Sequence, residues 1–400
     1  MKSNIQSIDE FTLRDARVLL RVDFNLPVQD GLVSDWTRFE RCAPTIKHIV
    51  DQGGQVVLLS HFGRPTGQYD PELSFKVLLA QIQEKLALSC ELIDHRGELP
   101  LANLSAKQEL ADVLLFDNIR FFSGETTSDP MLAEAISDLG DCFCLDAFSI
   151  SHRNHTCVTG LASFLPSFAG FSLVDELDAL NETLETISRP CVAIVGGAKV
   201  STKIDVLRNL IPKTDTLVVG GGMANTFLKA LGHEIGSSLV EDDQLATAQE
   251  MMQLADSVGC VLALPKDVAT HKTFASTESA LVCGIDDVGD TSMILDFGPQ
   301  SIASIIEIVA SAKTLLWNGP LGAFEITPFH VASTEVAKFV ASRCVSGELK
   351  AVAGGGDTLA LLAKADVSDE FTFCSTGGGA FLEWLEGKQL PGLAVVSRSP

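Results

Sequence analysis

Hydrophobic positions along the chain fall into short runs separated by polar, glycine-rich stretches. VLLRV (18–22), QVVLLS (55–60), DVLLF (112–116) and CFCLDAF (142–148) have strand length and polar ends. Between them, residues 38–54 and 74–88 carry apolar residues at helical spacing, the first closed by Gly53-Gly54. The rhythm returns in the second half with CVAIV (191–195), TLVV (216–219), CVLAL (260–264), TLLW (314–317), LKAVA (349–353) and FTFCS (371–375). Strand, helix and strand repeated in this way predict parallel βαβ units with helices on both faces. In residues 172–188, Leu173, Leu177, Leu180, Leu184 and Ile187 form one helical stripe, with Ser172 and Asp175 placed as a capping box and Pro190 beyond the far end. Both flanks switch into fresh strand-loop patterns, so this helix is expected to join two domains.

Four hundred residues fit two domains better than one core. The formal net charge is −23, and both halves are acidic, which argues against a nucleic-acid or membrane-surface binder. An anionic substrate must then be gripped by a local cation cluster. No apolar leader follows Met1 and no run of about 18 apolar residues occurs. The ten cysteines show neither CxxC pairs nor zinc spacing, so they read as reduced thiols of a cytoplasmic protein.

Residues 1–175 hold nine Arg and five Lys; residues 176–400 hold four Arg and eleven Lys. The first half thus favours rigid forks for a small anion, the second mobile point charges for polyphosphate. Arg21, Asp23 and Asn25, then His61 and Arg64, then Arg120, then His152, Arg153 and His155 each follow an apolar run. Strand ends of a parallel sheet share one edge, so these groups should converge there, with Arg38 facing them from the next helix. His152 and His155 lack carboxylate or thiol partners at a ligand spacing, which disfavours a metal there.

Four glycine clusters, at 196–197, 220–222, 354–356 and 377–379, follow strand-like runs in the second half. Such turns let backbone N–H groups approach phosphate oxygens. No Walker A loop exists, and GGGMAN (220–225) has Asn225 where a dinucleotide fingerprint needs glycine. Lys199 and Lys203 are expected on one helix face over bound phosphates. Asp357 is the carboxylate best placed for Mg²⁺, with Thr358 expected to cap the next helix, and Glu325 is a candidate for ribose hydroxyls.

RVDFNLP, SHFGRP, DNIRF, SHRNH, GGAKVS, GGGMANTFLKA, DFGP, LLWNGPLGAFE, GGGDT and STGGGAFLEWLEGKQLPG occur in the order found in phosphoglycerate kinase, and the chain resembles that family from about residue 5 to its end. The resemblance implies an α/β fold of two Rossmann-like domains, each a doubly wound, mostly parallel sheet. The domains are residues 1–171, with 389–400 packing back on them, and residues 190–388, joined by the helix at 172–189. It implies reversible phosphoryl transfer between 1,3-bisphosphoglycerate and ADP, giving 3-phosphoglycerate and ATP. Asp23, Asn25, Arg38, His61, Arg64, Arg120 and Arg153 would hold the acid substrate. Lys203, Asn318, Glu325, Gly355, Gly356, Asp357 and Thr358 would hold the nucleotide, with Asp357 also on Mg²⁺. Arg38, Lys199 and the amides around Gly378 would surround the transferring phosphoryl group in a cleft closed by hinge motion. A cytoplasmic monomer is expected. Departures are Thr202 where the family is usually acidic, Ser149-Ile150-Ser151 where it usually has Gly-Thr-Ala, and Ser333-Thr334 where a Gly-Thr pair is usual. A non-catalytic two-lobed anion binder and a dinucleotide-dependent dehydrogenase are the other classes considered.

Overall fold

The computed structural model describes residues 4–99, 101, 111–184, 187–275 and 279–398. They divide into two compact units, one running to Asp178 and resuming at Gln389, the other Ala179–Lys388.

The first unit is built on a six-stranded parallel sheet. Its order is Cys90–Ile93, Val113–Phe116, Gln55–Leu59, Arg17–Arg21, Cys142–Leu145 and Ser167–Ala169. Leu20 lies in register with Leu58 on one side and Cys144 on the other. These strands are nearly continuous in apolar residues because both faces of the sheet are covered. Helix Thr37–Asp51 turns Phe39, Cys42, Ile46 and Ile49 inward against Val18, Leu20, Val56 and Leu58. The expected helix at 74–88 is shorter. A 3-10 turn at Phe75–Val77 precedes helix Leu79–Leu86, which ends where Ala87 takes a φ of +54°. The chain's last described residues close on this unit: the Arg398 amide donates to the Asn4 carbonyl at 2.9 Å, and the Gly392 amide to the Ser151 carbonyl at 2.7 Å.

Helix Phe171–Leu184 crosses the boundary between the units. Leu173, Leu177 and Leu180 of the expected stripe are buried, while Leu184's side chain and residues 185–186 lie outside the described ones. The Ser172 cap is corrected: Ser172 sits inside the first turn. The orphan amides are met by other segments, Phe171 N–H donating to Thr45 Oγ1 at 3.0 Å and Leu173 N–H to Asp146 Oδ1 at 3.0 Å.

The second unit repeats the plan. Its parallel sheet runs Val261–Ala263, Thr216–Val219, Cys191–Val195, Thr314–Asn318, Lys350–Gly354 and Phe373–Ser375. Trp317, Ile194, Val218 and Ala353 lie in one core with Val336 and Val340 of helix Val331–Val345. The βαβ rhythm did not predict a three-stranded antiparallel sheet, Leu281–Gly284, Asp267–His271 and Met293–Phe297. Among the described residues no α-helix separates those strands, only the 3-10 turn Ile285–Asp287, so they pair antiparallel without a helical crossover. All ten cysteines are free thiols, seven of them buried.

Candidate active site

In the first unit the loops leaving the strand ends are stitched together. The Phe24 amide donates to Ser60 Oγ at 2.8 Å, and the Gly63 amide to Asn25 Oδ1 at 2.9 Å. Asn118 Nδ2 donates to the Phe62 and Leu73 carbonyls at 2.6 and 2.9 Å. RVDFN, SHFGR and DNIRF therefore form one surface whose backbone polar groups satisfy each other.

Arg21 lies beneath that surface and is 1% exposed. Its Nη2 meets His61 Nδ1 at 3.2 Å, its Nε donates to Cys157 Sγ at 2.9 Å, and Nη1 donates to the Val22 and Leu59 carbonyls. Glu125, also buried, accepts from the Cys157 amide at 3.1 Å and from its thiol at 2.6 Å. Burial pushes Glu125 up to about 7, with Arg21 acting against it. Arg38 Nη1 meets Asp23 Oδ2 at 3.1 Å and the Asn25 carbonyl at 3.1 Å. Asp23 stays below the usual carboxylate range: burial would raise it, but the Arg38 guanidinium, a hydrogen bond from Ser149 and the charge of Arg21 outweigh that.

Burial pushes the half-buried Arg120 guanidinium down, the charges of Arg21, Arg153 and Arg64 add to it, and Glu125 acts against it. Burial, then Arg21, also push His61 down to about 3, with Arg120 and Arg38 adding to it; burial, Arg120 and Arg21 push His155 down to about 4. The patch therefore joins permanent guanidinium charges to neutral imidazoles, an anion receptor inside an acidic protein. The structure thus brings Asp23, Asn25, Arg38, His61, Arg64, Arg120 and Arg153 together. Arg64 and Arg153 are exposed and Arg21 is internal. Sequence reasoning placed Arg21 on the patch but missed Glu125 and Cys157, which sit against it, and Ser60, which accepts the Phe24 amide; only burial distinguishes them from ordinary polar residues.

In the second unit all four glycine clusters stand at the same edge of the parallel sheet, just past the strands ending at Val195, Val219, Gly354 and Ser375. Asn318 Nδ2 donates to the Gly354 carbonyl at 2.7 Å, and its Oδ1 accepts from Lys203 Nζ. Burial pushes Lys203 down, while Asp357 and Glu386 act the other way. Two expectations are corrected here. Lys199 and Lys203 do not share a helix face; they flank the 3-10 turn Val200–Thr202, Lys199 exposed and Lys203 half-buried. Thr358 does not cap helix Gly356–Lys364; its hydroxyl, turned inward, accepts the Gly319 amide at 2.7 Å, and Gly355 occupies the capping position. Thr202, at the position of the expected acid, donates to the Lys199 carbonyl at 2.9 Å. Ser333 Oγ accepts the Leu321 amide at 2.9 Å.

Beside the glycine turns lies a cavity of about 250 Å³. Gly197 and Gly221 form part of its wall, Leu239, Leu295 and Pro320 make it apolar, and the exposed carboxylates of Glu325 and Asp357 also line it. Lys199, Lys203, Asn318, Gly355, Gly356, Thr358 and Gly378 stand outside its lining, although the Lys203 side chain passes close to Gly197. Gly378 has a φ of +51° and opens helix Gly379–Leu385. The apolar wall was not legible in the sequence: Leu239 lies outside the quoted motifs, and Leu295, next to DFGP, gives no local sign that it faces a cavity.

A family model described as phosphoglycerate kinase matches residues 8–388. Phosphoglycerate kinase of Maricaulis maris is 47% identical over 400 residues, covering 100% of this chain and 99% of the relative. That of Dinoroseobacter shibae is 48% identical over 391 residues, covering 98% of each. Among solved structures, phosphoglycerate kinase from Coxiella burnetii superposes with a TM-score of 0.90 at 37% identity, and that from Pyrococcus horikoshii with 0.79 at 25%, each covering 98% of both chains. With the arginine patch and the glycine-edged cavity in place on two α/β units, the match along nearly the whole length means that this chain belongs to the phosphoglycerate kinase family.

Proposed function

We propose that this phosphoglycerate kinase, a phosphotransferase with a carboxyl group as acceptor, binds 3-phosphoglycerate or 1,3-bisphosphoglycerate on the arginine patch and ADP or ATP at the glycine edge of the second unit. The observation that carries the reading is one cation patch, with Arg38 paired to Asp23, Arg38 and Arg120 near neutral His61, and Arg64 and Arg153 near Arg120. Fork-shaped cations suit a phosphate and a carboxylate on one small molecule. The apolar cavity suits a flat heterocyclic base, and Glu325 suits ribose hydroxyls. Gly355 and Gly356 offer amides to phosphate, and Lys203, tied to Asn318, offers a charge.

Asp357, exposed in the first turn of helix Gly356–Lys364, is one hard oxygen ligand of the kind Mg²⁺ accepts while phosphates and water fill its other positions. Among the described residues no three His, Cys, Asp or Glu side chains gather into a metal cage, which fits an ion carried by the nucleotide. When bound, the ion would supply charge neutralisation at the phosphates. Phosphoryl transfer asks mainly for positioning and neutralisation. The acceptor carboxylate is ionised at pH 7, so no general base is needed. Arg38, Lys199 and the amides around Gly378 are the donors assigned to the group in flight. In-line transfer needs donor and acceptor within reach, so the reading includes a closing motion during turnover, and it takes the enzyme as a cytoplasmic monomer.

A coupled assay tests it. ATP consumption should depend strictly on added 3-phosphoglycerate and on Mg²⁺, and no turnover with that acid would end the reading.

A further inference from the structure

Ser149 lies in the 3-10 turn Phe148–Ile150, just after strand Cys142–Leu145. Its hydroxyl donates to Asp23 Oδ2 at 2.6 Å. The same oxygen faces Arg38 Nη1 at 3.1 Å, and Oδ1 accepts the Asn25 amide at 3.2 Å. Each carboxylate oxygen has two acceptor positions. Ser149 and Arg38 fill those of Oδ2, and Asn25 takes one of the two on Oδ1. One position on Oδ1 is left over.

The three donors differ in stiffness. Asn25 belongs to the same loop as Asp23. Arg38 reaches in with a long side chain that is 38% exposed. Ser149 is short and flanked by buried Phe148 and Ile150. Its neighbour Ser151 is bonded through Oγ to the Phe148 carbonyl at 2.8 Å, and the Ser151 carbonyl accepts the Gly392 amide at 2.7 Å. The Ser149 turn is thus fixed from several sides, and it is the rigid reference for the carboxylate's orientation. Arg38, bonded to Asp23 and to the Asn25 carbonyl, inherits that orientation.

We infer that Ser149 is a positioning residue for the acid substrate: its hydroxyl locks the Asp23 carboxylate, which holds Arg38 in place and keeps one Oδ1 acceptor position free for a hydroxyl of the three-carbon phospho-acid. The inference rests on the reading of the arginine patch as the 3-phosphoglycerate site.

Steady-state kinetics of the full chain test it. Ser149→Ala removes the donor. Its KM for 3-phosphoglycerate should rise about tenfold, the weight of one hydrogen bond to a charged group, while KM for MgATP stays within about twofold. Ser149→Thr keeps a hydroxyl and should restore KM to within about threefold of wild type. In an Asp23→Asn background, Ser149→Ala should change KM by less than about twofold, because the charged acceptor is gone. An unchanged KM in Ser149→Ala, an equal rise in the Ala and Thr variants, or a rise in KM for both substrates overturns the inference. Arg120→Ala separates this from the underlying reading. A raised KM there beside a wild-type Ser149→Ala removes Ser149 and leaves the site, whereas wild-type behaviour in Arg120→Ala removes the site itself.

Discussion

Arg38 is tethered at both ends of a short bridge, to the Asp23 carboxylate and the Asn25 carbonyl, yet its side chain remains 38% exposed. That combination suits a cation held in place for an incoming anion. Arg38→Ala should lower kcat by about two orders of magnitude or more, in line with the loss of other transition-state donors, and wild-type turnover would exclude it from the mechanism. Lys203 differs in kind. It is half-buried, bonded to Asn318 Oδ1, and disfavoured as a cation by that burial. Lys203→Ala should raise KM for the nucleotide about tenfold with little change in KM for 3-phosphoglycerate, measured in the same coupled assay. A selective effect on the acid substrate would contradict its assignment. Both lysines and all the arginines were legible in the sequence as chemistry. The partner of each was not, because Asn318 lies 115 residues from Lys203 and is brought to it only by the pairing of strands Cys191–Val195 and Thr314–Asn318.

At the level of elements, glycine turns at strand ends do two different jobs. Gly221 has φ +67° and ψ −163°, a region essentially closed to other residues, and a Cβ there would stand 2.6 Å from the Gly197 carbonyl oxygen. Gly378 has φ +51°, but a Cβ on it would meet open space. Gly378→Ala should therefore cost about 1–3 kcal/mol of backbone strain, and Gly221→Ala about 3 kcal/mol or more, because backbone must also move. Urea unfolding of the two variants decides it; equal losses would mean that the close approach at Gly221 has no weight. Strands Cys191–Val195 and Thr216–Val219 match the apolar runs residue for residue, since a strand buried on both faces has no polar positions to blur its ends. Helix starts were harder to read. Ser172 looked like a cap by spacing, but Asp146 and Thr45 do that work from distant segments, and spacing along one chain cannot report a partner across a fold.

Over the whole molecule, buried ionisable groups set opposing pH trends. Burial pushes Asp296 up to about 8 and Asp146 up to about 7, and Glu125 to about 7. Burial pushes His95 down to about 4, as with His155, and His61 to about 3. For the carboxyls, the unfolded chain releases protons from about pH 4 while the folded chain still holds them, so their linkage lowers stability as pH rises toward 7–8. For the histidines, the unfolded chain takes up protons below about pH 6.5 that the folded chain refuses, so stability falls as pH drops. The two trends oppose one another below about pH 6.5, and above it only the carboxyls act. Asp296→Asn removes the largest of these upward shifts. Its stability relative to wild type should climb between pH 5 and pH 8, by at most about 1.4 kcal/mol per pH unit, as read from urea unfolding. A difference independent of pH would show that Asp296 titrates alike in both states.

The sequence by itself determined the α/β class, ten of the twelve strands of the two parallel sheets, the split between an arginine-rich and a lysine- and glycine-rich half, and the family motifs. Each of these is written in local spacing and residue type, which neighbouring residues impose on one another. Tertiary structure alone decided that Arg21 is buried over Glu125 and Cys157, that Ser149 reaches Asp23, and that Leu239 and Leu295 wall a cavity beside Gly221. Those facts depend on which distant segments share a sheet edge, and the free energy that selects them belongs to the packed core rather than to any stretch of chain.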